Sequence, residues 1–164
     1  MGIVVFECQK CGYCCQHLIE KINGIINGLF LTNKETKLFP RELISPQKAI
    51  GVERPKRIIS YQLNIDTCPH INERNECKIY DKRPLACRAF PYEIVGHKPT
   101  VSVKCPVIGN QMAEGEKRVV DLAAVEIQAS WKINSYLQNR YRRYLKRKAH
   151  LWEYDLKTRK WSKE

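Results

Sequence analysis

Residues 6–17 read FECQKCGYCCQH, and residues 68–92 read CPHINERNECKIYDKRPLACRAFPY. With Cys105 they hold all eight cysteines of the chain: Cys8, Cys11, Cys14, Cys15, Cys68, Cys77, Cys87 and Cys105. Thiolate sulfur is a soft, charged ligand suited to zinc and to iron–sulfur clusters, and each such centre usually takes four protein ligands. Eight sulfurs therefore supply two sets, or one with spares. Steps of two intervening residues from Cys8 to Cys11 to Cys14 let one short loop offer several sulfurs to one centre. The adjacent pair Cys14-Cys15 is different, because neighbouring side chains on a helix diverge by about 100°. Cys11 and Cys15, four apart, could share one helical face. The alternative for one of the pair is a buried, inert thiol.

In the second block Pro84 suits the first helical position, which places Cys87 in a first turn that Pro91 ends. Arg83 and Arg88 flank Cys87. Fixed cations beside thiolates favour the anion and offset the charge of a tetrathiolate centre, which makes both arginines candidate cofactor-binding residues. Ordinary surface salt bridging is their alternative role. His17 and His70 also lie beside cysteines, but with eight sulfurs available they read as hydrogen-bonding neighbours.

Working outward, the sequence predicts a helix from Tyr13 through Ile22, stopped by Asn23-Gly24. Thr32 and Glu35 form a capping box for a second helix over about Asn33 to Ile44, bent by Pro40. Residues 46–57, with Pro46, Gly51 and Pro55 among charges, read as a surface loop, and Ile58 to Ile65 as a strand. Pro91 to Lys104 reads as a hairpin turning at Gly96-His97, whose base would join Cys87 to Cys105. The apolar set Leu122, Val125, Ala129, Ile133, Tyr136, Leu137, Tyr144 and Leu145 follows helical spacing from Glu116 to about His150. Trp152, Tyr154 and Leu156 then alternate as a closing strand. The expected class is α+β, a small cysteine-cluster domain over residues 1–115 with short hairpins, followed by a long helix and basic tail over 116–164.

The 164 residues carry a net charge of +12. Ten Lys or Arg against three Asp or Glu between Asn139 and Glu164 place +7 of it at the C-terminal end. Such an end can attract nucleic acid, an anionic membrane or an acidic protein, and charge alone does not choose between them. The N-terminal residues lack the basic region and long apolar run of an export signal, Phe6 stands where myristoylation wants Ser or Thr, and no apolar run approaches the roughly 20 residues of a membrane span. Cysteines make up about 5% of the chain, below the roughly 8–10% of a disulfide scaffold. A cytoplasmic protein with metal-bound thiolates is expected.

The pattern F-x-C-x-x-C-G-x-C-C at Phe6 to Cys15, C-P at Cys68, C-x-I-Y-x-x-R-P-x-x-C-R-x-F-P at Cys77 to Pro91 and the late Cys105 resembles the CxxCxxCC, or YkgJ-type, cysteine-cluster family. The resemblance implies chelation of zinc or iron by these cysteines. Some larger relatives are associated with lysine methylation of flagellin, which implies a methyltransferase-like enzyme as an alternative. No glycine-rich nucleotide fingerprint is present, and Leu18 stands where a radical C-x-x-x-C-x-x-C pattern begun at Cys11 needs its third sulfur. Three functions follow: a metal or cluster carrier, sensor or electron-transfer module with a 4Fe–4S cluster or zinc; a nucleic-acid-binding protein with structural metal; and a lysine-modifying enzyme, for which no catalytic residue can be named.

Overall fold

The computed structural model describes residues 6–95, 97–113, 124–145 and 147–164. It is an α+β protein. In chain order it contains strands β1 (Glu20–Ile22), β2 (Ile25–Asn27), β3 (Phe30–Leu31), β4 (Ile44–Gly51) and β5 (Arg57–Leu63). Helix α1 (Leu85–Ala89), strands β6 (Tyr92–Val95) and β7 (Lys98–Val101), helices α2 (Pro106–Ala113) and α3 (Val125–Leu145), and strands β8 (His150–Asp155) and β9 (Lys160–Lys163) follow. These make two compact units, each assembled from two segments: residues 1–16 with 70–134, and 17–69 with 135–164.

The second unit is built on an antiparallel sheet in the order β3-β5-β4-β8-β9. Leu31, Ala49, Ile50, Ile59 and Leu63 are buried in it. Gln62 is buried among them and satisfied: its Nε2 donates to Pro46 O (2.8 Å) and Tyr154 O (3.3 Å), and its Oε1 accepts from Gly28 N (2.7 Å). A buried amide left unpaired would cost about 1–3 kcal/mol, so these bonds fix β5 against its neighbours.

Residues 46–51, expected in a loop, belong to an inner strand of the sheet. Register shifts between Pro46 and Lys48 and again between Lys48 and Ala49 interrupt the ladder, which is how a strand accommodates a proline that has no N–H to donate. Gln47 is buried there and accepts from Ser60 Oγ (3.1 Å).

The helix expected over Tyr13 to Ile22 is replaced by a single 3₁₀ turn, Tyr13–Cys15, and the β1 strand. Asn23 and Gly24 have φ of 50° and 83°, the paired positive values of a two-residue hairpin turn, so they join β1 to β2 instead of ending a helix. The Thr32–Glu35 capping box forms, with Glu35 Oε2 accepting from Thr32 N (2.8 Å) and Oγ1 (2.9 Å). It caps only a 3₁₀ turn, Glu35–Leu38, and a second turn, Arg41–Leu43, follows Pro40. Phe39 is extended, because a residue before proline is pushed out of the helical region.

The C-terminal residues are integrated into this sheet. Strand β8 pairs with β4, Trp152 Nε1 donates to Gly51 O (2.9 Å), and Tyr154 meets Trp161 of β9 edge to face. The expected closing strand is thus present, and a further strand beyond it.

In the first unit β6 and β7 pair from Tyr92↔Val101 to Val95↔Lys98, as the alternating pattern requires. Gly96 of the expected turn lies outside the described residues. Ser130 Oγ of α3 donates to Tyr92 O (2.8 Å), tying the start of the long helix to β6. That helix runs from Val125 to Leu145, and residues 116–123 of the longer expected helix lie outside the described residues. Among the described residues no helix is long and apolar enough to cross a membrane.

Candidate metal centre

Seven of the eight cysteines belong to the first unit, and Cys68 to the second. Among the described residues no disulfide joins any of them. The loop carrying Cys8 to Cys15 is held at both ends. Phe6 packs edge to face on Tyr92 of β6, at 6.1 Å between ring centroids. Further on, Gln16 Nε2 donates to Asn75 Oδ1 (3.1 Å). Between them Gly12 adopts φ 74°, and a Cβ there would stand 2.6 Å from Asn75 O. Only glycine meets both demands, which explains the C-G step between Cys11 and Tyr13.

The platform beneath Gly12 is the turn over residues 71–77. Asn72 Oδ1 accepts from Arg74 N and Glu76 N (both 2.9 Å), and Ile71 bridges Cys77 as an isolated antiparallel pair. Cys77 is thus fixed by backbone pairing. His70 contributes its carbonyl to Lys78 N (2.8 Å) in the same turn.

The sulfurs differ in their surroundings. Cys14 is lowered to about 7, chiefly by a hydrogen bond from the Cys15 side chain; burial opposes this, and the Arg83 guanidinium and the amides of Cys14 and Cys15 reinforce it. Cys105 is pushed up, by burial above all, while the amides of Ile108 and Val107 in the first turn of α2 pull the other way and the charges of Cys11 and Cys14 add to the rise. Residues 91 and 94 positions apart in sequence therefore lie within electrostatic reach. Cys8 hydrogen-bonds the Tyr80 hydroxyl, whose titration burial raises.

Arg83 stacks 3.7 Å over the Tyr80 ring and donates from Nε to Tyr80 O (2.8 Å). Lys10 lies 4.6 Å from the same ring. Tyr80 thus positions the cation that acts on Cys14, a part that its place in the sequence does not reveal. No local spacing links Tyr80 to Cys8; only the fold does. Arg88, the other flanking arginine, is exposed in the last turn of α1, one residue after half-buried Cys87.

Among the described residues no three His, Cys, Asp or Glu side chains form a group that could hold a metal ion. The chemistry of the donors nevertheless fits zinc or iron: sulfur atoms, one acidified to about 7, with a fixed guanidinium beside it.

The profile of the CxxCxxCC family, whose description reads "Putative zinc- or iron-chelating domain", matches residues 7–111. This chain belongs to the CxxCxxCC family. No curated protein and no solved structure matches it. The matched segment begins one residue before Cys8 and ends past Cys105, so it contains all eight cysteines, and the family description supports a metal-binding role.

Proposed function

We propose that this chain is a cytoplasmic metal-binding protein that holds a cysteine-ligated centre, a 4Fe–4S cluster in preference to zinc, as a carrier, sensor or electron-transfer module. Cys11, Cys14, Cys15 and Cys105 are the donors to which the observations point most directly. Cys8, Cys77 and Cys87 of the same unit, and Cys68, complete the candidate set. The carrying observation is that all eight cysteines lie inside the segment, residues 7–111, matched by a family of zinc- or iron-chelating domains.

A bound cluster supplies one-electron chemistry, and zinc supplies a cross-link. The residues of this chain do the rest. The loop around Gly12 presents the first sulfurs, the amides at the start of α2 face Cys105, and Arg83 offsets thiolate charge at Cys14. Thiolates brought together repel one another, and a bound metal cation would offset that repulsion. The preference for a cluster rests on the density of sulfurs and on Arg83 beside them, since a structural zinc needs four ligands only. The basic C-terminal residues serve an anionic partner.

Metal content of Cys14→Ser and Cys105→Ser, each purified as the full chain, tests the donor set. Both should lose most of the bound metal while keeping native circular dichroism. Full metal content in both would contradict it.

A further inference from the structure

We propose that the end of the second unit's sheet formed by the β4–β5 hairpin and the α3–β8 connection binds the sugar–phosphate backbone of a nucleic acid, which deepens the anionic-partner reading of the C-terminal residues. The fold joins two basic segments far apart in sequence. Gly51 at the end of β4 pairs with His150 at the start of β8, and Ile50 pairs with Arg57 at the start of β5. Lys56 N donates to Ile50 O (3.0 Å), closing the hairpin over residues 51–56. From the other side Tyr144, in the last turn of α3, receives the Arg57 guanidinium on its hydroxyl, with that guanidinium 5.5 Å from its ring centroid. Arg147 N then donates to Tyr144 O (2.9 Å), turning the chain toward β8.

Arg54, Lys56, Arg57, Arg143, Arg147 and Lys148 are all exposed and stand on these two connections or on the ends of β5 and α3 that flank them. Glu53 is the only acid in the residues 51–57, and residues 139–151 contain none. The concentration is also a property of the whole unit. Its two segments hold eighteen Lys or Arg and eight Asp or Glu, a surplus of +10 out of the chain's +12.

Four of the six cations are arginines, whose planar forks match phosphate oxygens in pairs. Arg57 is already ordered by Tyr144, which lowers the entropy lost on binding. A nucleic acid offers a regular run of phosphates across a surface drawn from two connections. An acidic peptide would gain charge pairing without that regular run of phosphates.

The test uses the full chain and a fluorescein-labelled single-stranded oligonucleotide, titrated by anisotropy over a range of salt. Wild-type affinity should fall steeply with salt, as expected of phosphate contacts that release counterions. Arg54→Gln with Lys56→Gln should weaken binding about tenfold and flatten the slope by about 1.4, two contacts at roughly 0.7 each. Arg147→Gln with Lys148→Gln should do the same, and Arg74→Gln with Lys98→Gln in the first unit should change little. Should the hairpin pair fail to fold, Arg54→Gln alone carries the comparison at about half the effect on the slope. An unchanged hairpin variant beside a weakened 147/148 variant would overturn the two-segment surface while leaving the C-terminal reading standing. No salt-dependent binding by the wild type, or equally tight binding of polyglutamate or phosphatidylserine vesicles at the same salt, would overturn the nucleic-acid assignment itself.

Discussion

The two units of this protein divide its chemistry between them. The first holds seven cysteines and a surplus of only +2, from eleven Lys or Arg against nine Asp or Glu; the second holds one cysteine and +10. Their stability has different sources as well. The second has a five-stranded sheet with fully buried Leu31 and Leu63, whereas the described strands of the first are the β6–β7 hairpin, with its thiols on loops, on a 3₁₀ turn and in the five-residue helix α1. A region that relies on loops and a few local hydrogen bonds gains most from a cross-linking metal, and a region with a layered sheet gains least. The difference leads to the expectation that metal content and folding of the sheet respond to different substitutions.

Truncation after Lys148 is expected to have the largest effect. It removes β8 and β9, exposes the edge of β4, and deletes the Trp152–Gly51 hydrogen bond. The loss should approach the ~5–15 kcal/mol of a whole domain, read as an insoluble chain or one without cooperative melting. A soluble truncated protein with an unchanged melting temperature would break the comparison. Leu63→Ala comes next. Its side chain is fully buried, so the cavity should cost about 2–5 kcal/mol in urea titration. The metal content of the folded variant should remain that of the wild type, and a parallel loss of metal would show that the units do not act separately.

The smallest effect is expected at Asp155. Desolvation pushes its carboxyl up, but the amides of Lys157, Thr158 and Ile26 and the Thr158 hydroxyl outweigh it and hold it below its ordinary value; Lys157 N donates at 2.8 Å. A carboxyl lowered on folding contributes stability above its unfolded value and loses it as pH falls through the folded one. Asp155→Asn should therefore remove a slight acid-side decline in melting temperature and leave the neutral-pH metal content unaltered. An unchanged acid limb would sink this reading.

Much of the local structure was legible. Tyr92, Ile94 and Val95 leading to Val101 gave a hairpin by simple alternation, and Trp152 and Tyr154 gave a strand. The failures share a cause, in that tertiary pairing outweighed local signals. Pro46 and Gly51 look like loop residues, yet neighbours on both sides and a buried Gln47 make their segment an inner strand. Asn23-Gly24 carried its own hairpin signal between Ile22 and Ile25, which the helical reading of Leu18, Ile19 and Ile22 obscured. Each unit is built from two distant segments, so no composition shift marks where one ends. At the candidate centre the cysteines and Arg83 are candidates that spacing alone puts forward. The contacts of Tyr80 with Cys8 and of Gly12 with Asn75 could not be read there, since each joins residues more than 60 positions apart.

The central claim is that the thiols of the first unit carry a cluster, and its most direct test is metal and sulfide analysis of the full chain prepared and kept without oxygen. Iron and acid-labile sulfide in matching amounts, with a broad absorption near the edge of the visible range that Cys11→Ser abolishes, is the predicted result. Zinc can replace iron in tetrathiolate sites during aerobic handling, so only the anaerobic material decides. Stoichiometric zinc in that material, with no sulfide and no visible absorption, would contradict the cluster and leave a zinc site.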